Sequence, residues 1–166
     1  GGSLDALSVL ETGADGRVAL RLGGGASIRV DVRTRLRLIS DDEIALDRGA
    51  VYVETAAVAA PGTAVVVRTA LGTVRDIGTR FQVRASPESL WVSVREGSAT
   101  IEHRGRSHHA PAGTELTMDQ GGGVKSRPVQ PSDAEWHWVQ EVAPPFDLEG
   151  RRLVEFARKH GRVVQT

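Results

Sequence analysis

Cysteine does not occur in this chain of 166 residues. Disulfide staples, thiolate metal sites and a cysteine nucleophile are therefore excluded, and the composition suits an oxidising compartment. Excess charge of either sign is missing as well: 21 Lys plus Arg balance 21 Asp plus Glu, which leaves no electrostatic footprint for nucleic acid or an anionic membrane. Long apolar runs are absent too. The longest, such as Ala56 to Pro61 and Ala64 to Val67, fall far short of the roughly 20 residues that a transmembrane helix requires, so no direct membrane insertion is expected of this segment. The chain opens Gly1-Gly2-Ser3 with neither an initiator Met nor a signal-peptide pattern, and it reads as a piece of a longer protein.

What is present is rhythm. From Arg17 to about Met118 apolar and polar residues alternate, interrupted every few positions by glycine or a polar turn, which predicts many short strands. They are placed at Arg17 to Leu22, Ser27 to Val30, Glu43 to Leu46, Ala50 to Thr55, Ala64 to Thr69, Arg80 to Arg84, Leu90 to Val94 and Ser98 to His103. A weak repeat runs through them: Ile44 to Glu54 reads like Val92 to Glu102, offset by 48 residues. In each copy two apolar positions at period two lead into a charged pair and a glycine, Gly49 or Gly97, after which alternation resumes. Two hairpins are expected there, with glycine where a turn needs positive φ. Ile44, Leu46, Val51 and Val53 should face inward, as should Val92, Val94, Ala99 and Ile101. The expected fold is mainly β, a glycine-punctuated antiparallel domain of solenoid-like or sandwich form.

The character of the chain changes at Gly121-Gly122-Gly123, read as a flexible break, and again at Pro128 to Pro131. Ser132 with Glu135 three residues on has capping-box spacing, and Trp136, Val139 and Glu141 carry a short helix to Pro144-Pro145. Phe146-Asp147-Leu148 then reads as a strand, Arg151 to His160 as a helix closed by Gly161, and Val163-Val164 as renewed extended chain. The expected organisation is a β domain over 1–127, a linker with a short helix over 128–145, and a partial βαβ segment over 146–166.

Reactive constellations are scarce. No G-x-S-x-G, H-E-x-x-H or G-x-x-x-x-G-K-[ST] occurs, and Gly97-Ser98 falls inside an expected hairpin. Gly23 to Gly25 joins two expected strands and Gly121 to Gly123 precedes a loop, so neither triplet has the helix N-terminus that a phosphate cradle uses. If Arg104-Gly105 is a turn, His103 and His108 share a face while His109 points to the other, which prevents three imidazoles from converging on a metal. Asp41-Asp42-Glu43 is read as a solvated turn. Trp136 and Trp138, two apart, lie on different faces of a helix, so one is exposed unless something packs on it; the expected role is to cement the β domain to the tail. No catalytic residue, metal or cofactor is expected, and the chain is not expected to be an enzyme.

Several blocks carry a family likeness. Gly16 to Leu22 with Gly25 to Val30 is similar to an opening "L-x-L-x-(D)-G-S-x-v-x-l" hairpin, with Gly24 standing where the pattern has Asp. Leu46 to Val53 matches "L-x-x-G-x-a-y-f-x-V", and Thr69 to Val83 matches "v-G-T-x-F-x-V" through Gly78-Thr79-Arg80-Phe81. Val92 to Gly97 follows, then Ala112-Gly113-Thr114-Glu115 as the later "l-x-a-G-e" turn, while Pro61-Gly62-Thr63 departs from the usual Arg-Pro-Phe. In this order, over roughly Leu7 to Met118, these blocks resemble the FecR family. Gly49, Gly72, Gly78, Thr79, Phe81, Gly97 and Gly113 are then the expected structural motif. Pro145 to Leu153 with Gly161 to Val163 resembles the start of the STN module.

The resemblance implies a periplasmic sensor region of a single-pass inner-membrane anti-sigma regulator. Its partners would be the signalling domain of a TonB-dependent outer-membrane transducer and, through an N-terminal cytoplasmic part, a sigma factor. Phe146, Leu148, Arg162, Val163, Val164 and Gln165 are the expected partner-binding residues, with Arg162 to Gln165 as the pairing edge. The alternatives are a carbohydrate- or other ligand-binding β module, for which Tyr52 and Trp91 are the main stacking candidates in a chain with 4% aromatics, or a surface or adhesion protein with a FecR-like domain.

Overall fold

The computed structural model describes residues 8–55, 64–130, 132–142 and 162–165. Twelve strands follow in order: β1 Ser8–Glu11, β2 Val18–Arg21, β3 Ser27–Val30, β4 Arg35–Leu38, β5 Glu43–Glu54, β6 Val66–Arg68, β7 Thr73–Ala85, β8 Ser89–His103, β9 Arg106–Pro111, β10 Thr114–Asp119, β11 Val124–Pro128 and β12 Arg162–Gln165. All belong to one mixed sheet. Its pairs are antiparallel except that Glu43–Ala45 of β5 runs parallel to Val66–Arg68 of β6, a departure from the wholly antiparallel expectation.

The three long strands decide the architecture. Gly49, Gly78 and Gly97 have φ of 96°, 63° and 75° and sit inside β5, β7 and β8. The hairpins expected at Gly49 and Gly97 are thus single strands of 12 and 15 residues, bent at a glycine. Side-chain phase explains why. Leu46 and Val51 are five apart, as are Val94 and Ala99, and an odd spacing in an unbroken strand places side chains on opposite faces. One extra residue at the glycine restores the phase, as in a β-bulge, and all four side chains are buried. The eight positions expected to face inward all join one apolar cluster.

Beyond each bend the strand changes neighbours. One layer runs β2, β3, the second half of β5, the second half of β7, the first half of β8, β10 and β11. The other runs β12, β1, β4, the first half of β5, β6, the first half of β7, the second half of β8 and β9. Ile28, Val53, Phe81, Val92 and Met118 of the first layer and Leu36, Ile44, Val67, Val74 and Ile101 of the second share one core. The sheet is thereby folded on itself around a single apolar interior, the sandwich solution to burying one face of a sheet.

The duplication seen in the sequence is deeper in space. Thr12 N–H donates to the Thr34 carbonyl at 2.9 Å, and Thr34 N–H donates back to Thr12 Oγ1 at 2.9 Å. Thr55 and Thr79 make the same exchange at 3.0 and 2.8 Å. Asp31-Val32-Arg33-Thr34 thus corresponds to Asp76-Ile77-Gly78-Thr79, with the third residue left-handed in both. Each corner receives the bulge glycine of a neighbouring strand: a Cβ on Gly49 would stand 2.5 Å from Thr34 Cα, and one on Gly97 would stand 2.5 Å from both Gly78 O and Thr79 Cγ2.

Outside this body, Gly121 to Gly123 closes the β10–β11 hairpin through Gly122 N–H to Asp119 O at 3.0 Å. It is a turn, not the flexible break expected. The linker helix is also shorter than its pattern: a 3-10 turn Ala134–Trp136 leads into α1, His137–Gln140. Ser132 is not its cap; the Asp133 carboxylate instead accepts from Gln130 N–H at 2.7 Å. Phe146 to Leu148 and the expected helix from Arg151 to His160 lie outside the described residues.

Candidate functional site

A sheet recognises another chain most directly at an unpaired edge, and four strands lie outermost, β2, β9, β11 and β12. β2 packs Ala19 against the helix segment. β11 carries Lys125, Arg127 and Pro128, and β9 carries Arg106, His109 and Pro111 exposed; charge and proline both discourage strand addition. β12, with sequence Arg-Val-Val-Gln, has neither proline nor a run of charge. It pairs antiparallel with β1, Arg162 opposite Glu11 through Gln165 opposite Ser8, and it ends the strand order. One side of its backbone is therefore engaged by this chain's own β1, and the other faces no strand among the described residues. The structure brings Arg162, Val163, Val164 and Gln165 together on that edge. Phe146 and Leu148 lie outside the described residues.

The motif residues lie within the body and its turns. Phe81 is fully buried between the layers. The Thr79 hydroxyl donates to Asp76 Oδ2 at 3.0 Å, joined by the Thr55 hydroxyl at 2.9 Å, and Val65 N–H donates to Asp76 Oδ1 at 2.6 Å. Asp76 is 2% exposed, so these three donors replace the water that a buried carboxylate loses. Gly72 accepts from the Thr69 hydroxyl at 2.8 Å in the turn before β7, and Gly113, with φ of 79°, turns β9 into β10. Sequence reading passed over Asp76 as an anchor, although Asp-x-x-Thr recurs at Asp31 and Thr34.

The outer face of the first layer holds most of the remaining polar detail. Tyr52 and Gln82 face each other across β5 and β7, Gln82 faces Ser93, Ser93 faces Glu115, and Glu115 faces Arg127. The next rung sets Arg84 against Trp91 and Trp91 against Thr117. The helix segment covers one end of this face: Trp136, Trp138, Val139 and Val142 pack on Ala19, Ala50 and Tyr52. Both tryptophans are buried against the sheet, while Ala134, His137, Gln140 and Glu141 turn to solvent. Trp136 meets Tyr52 edge-on, with ring centroids 6.0 Å apart, and donates to Gln130 O at 3.1 Å. Trp138 donates to Gln82 Oε1 at 2.8 Å. Arg17 stacks 6.0 Å over the Trp138 ring, and its guanidinium pKa is raised chiefly by the hydrogen bond to Asp31.

Tyr52 is thus 2% exposed and unable to stack on a sugar, which removes half of the aromatic pair on which a carbohydrate platform would rest. Burial also pushes the Tyr52 phenol pKa up, against the opposing pull of Arg95. Trp91 remains half-buried beside an open cavity of about 300 Å³ lined by Gln82, Arg84, Trp91, Glu115 and Arg127. Glu115 is 6% exposed and is held by the Ser93 hydroxyl and Arg127 Nε, each at 2.6 Å. Elsewhere, Arg104-Gly105 does form the turn after β8, and His103 is bound to the Leu71 carbonyl. Among the described residues no group of three metal-ligating side chains converges. Glu43 of the acidic run pairs with Arg68.

Comparison with known proteins agrees with this architecture. Two crystal structures of a proposed anti-sigma factor from Parabacteroides distasonis, at 2.50 and 1.65 Å resolution, are similar in fold, with TM-scores of 0.69 and 0.68 at 17% sequence identity. The matches cover 81% and 80% of this chain and 65% and 64% of those chains, so the present chain spans a little under two thirds of their length. A search of curated proteins finds no match. The family model described as FecR protein matches residues 8–100, the stretch from β1 into β8 that holds both threonine corners, and by that match over more than half its length the chain belongs to the FecR family.

Proposed function

We propose that this chain is the periplasmic signal-transducing region of a FecR-type anti-sigma regulator, working by protein contact rather than catalysis. Its family and its likeness in fold to an anti-sigma factor support the class. The corners and bulges give a stiff body whose buried polar contacts, such as those of Asp76, tie strands together. In this reading the sheet edge at Arg162 to Gln165, with Phe146 and Leu148 nearby in sequence, receives a strand from the signalling domain of a TonB-dependent outer-membrane transducer. A cytoplasmic part of the full-length, inner-membrane protein would hold the sigma factor. The observation that carries the contact site is β12 itself: a four-residue strand engaged on one side by β1 and ending the sheet.

A proline scan of β12 tests it. Along a strand successive N–H groups point to opposite sides, so proline at alternate positions removes either a bond to β1 or an outward donor. The variant that melts like the parent but no longer binds the purified transducer domain identifies the outward edge. Undiminished binding by every folded variant would exclude this edge as the site.

A further inference from the structure

The cavity beside Trp91 lies on the outer sheet face, away from the strand pairing at β12. Gln82 carries the first part of the argument. Indole N–H only donates, so the 2.8 Å contact from Trp138 fixes Oε1 of Gln82 toward the helix and turns its amide nitrogen away. Gln82 is 4% exposed, yet it lines the cavity, and its Nε2 is not among the buried side-chain atoms left without a partner, so that donor opens onto the cavity. A donor that opens onto such a space exchanges its water for a ligand's acceptor at little cost.

The surrounding charges say what that acceptor is. Arg84 stands exposed two residues along β7 and pairs with no carboxylate among the described residues. Glu115, the one acid in the lining, is already engaged by Ser93 and Arg127. The lining therefore offers donors and positive charge in excess of acceptors. Trp91, opposite Arg84 across β7 and β8, adds a flat apolar wall. The volume of about 300 Å³ sits at the small end of small-molecule sites.

We infer that this cavity binds a carboxylate carried on a flat apolar body, the carboxylate held by Arg84 and the Gln82 amide and the body lying on Trp91. Arg with a neutral donor is a common answer to a planar anion. The same chemistry is presented by a free aromatic acid and by a peptide ending in an aromatic residue.

Indole N–H resonances of the three tryptophans read the site directly, with Trp91→Phe assigning its peak. Benzoate is expected to move the Trp91 resonance saturably, and the Trp138 resonance with it through the bond to Gln82, while the Trp136 peak stays, and its neutral isostere benzamide to do so about tenfold more weakly. Arg84→Gln should weaken benzoate by a similar factor and leave the melting temperature unchanged. A peptide with a free C-terminal Phe that binds more tightly than benzoate points to a carboxylate borne by a partner; the reverse order points to a free acid. Equal shifts with benzoate and benzamide, no saturable shift with either acid, or indifference to Arg84→Gln overturns the inference. None of these outcomes bears on β12, which lies in the other layer.

Discussion

Arg33 and Gly78 occupy one position in two copies of the same corner, with φ of 51° and 63°. In both, an Asp lies two residues before and a Thr one residue after. The left-handed region costs a residue with a Cβ about 1–2 kcal/mol and glycine little. Arg33→Gly is therefore expected to leave stability within about 1 kcal/mol of the parent, on the stabilising side, since lost strain outweighs added chain entropy. Gly78→Ala, where the added methyl meets nothing within 4 Å, should cost about 1–2 kcal/mol. Urea unfolding of the two variants reads both signs.

Gly97 shares the positive φ of Gly78 but not its space. Its added Cβ would meet backbone and methyl atoms of the neighbouring corner at 2.5 Å, so overpacking of about 1–3 kcal/mol adds to the conformational strain. Gly97→Ala should lower the urea midpoint clearly more than Gly78→Ala. Equal effects would mean that the corner yields and the close approach is not what demands glycine.

Asp76 gathers two hydroxyls and one backbone N–H inside the protein. Replacing it by Ala leaves the Thr79 hydroxyl and the Val65 N–H without an acceptor, while the Thr55 hydroxyl keeps the Thr79 carbonyl at 3.2 Å; the loss should be about 3 kcal/mol, whereas Asn keeps one acceptor oxygen and should cost less. A loss under about 1 kcal/mol for Asp76→Ala would show that water takes over the site.

Tyr52 is the chain's single tyrosine, so phenolate absorbance reports it alone. Burial raises its pKa above the ordinary value of 10.0, which means the folded state favours the neutral phenol. That contribution is whole below the unfolded value and is lost as pH rises past it and through the folded value. Melting temperature is expected to fall in alkali above about pH 10, and Tyr52→Phe should remove that part of the fall. An unshifted phenolate titration would contradict the packing of Trp136 on Tyr52.

Phe81 is the large residue at the centre of the core, with no exposure. Truncation to Ala should cost about 3–5 kcal/mol, measured by denaturant midpoint at unchanged slope.

Much of the body is legible in residue order. Alternation at Ile44 to Leu46, Val51 to Val53, Val92 to Val94 and Ala99 to Ile101 named eight core positions, because a strand's inward set follows from period two alone. The same text misplaced Gly49 and Gly97 into hairpin turns, since positive φ serves a turn and a bulge equally and local sequence does not distinguish them. β1, β4 with its Arg-Leu-Arg-Leu pattern, β10 and β11 escaped notice, whereas β9 is the return arm of the hairpin expected at Arg104-Gly105. The cavity beside Trp91 was beyond reach for a different reason: Gln82, Glu115 and Arg127 come from three strands, and only register makes them neighbours.

Composition and spacing by themselves determined that this chain is β-rich, without cysteine chemistry, alternating, glycine-paced and internally duplicated, since these depend on residue type and local period. Tertiary structure alone decided that the long strands bend and change layers, that Asp76 is an internal anchor, that both helix tryptophans are buried and that β12 closes on β1. Each of those is a contact between residues far apart in the chain, where the free energy depends on which surfaces meet and not on what any one segment prefers.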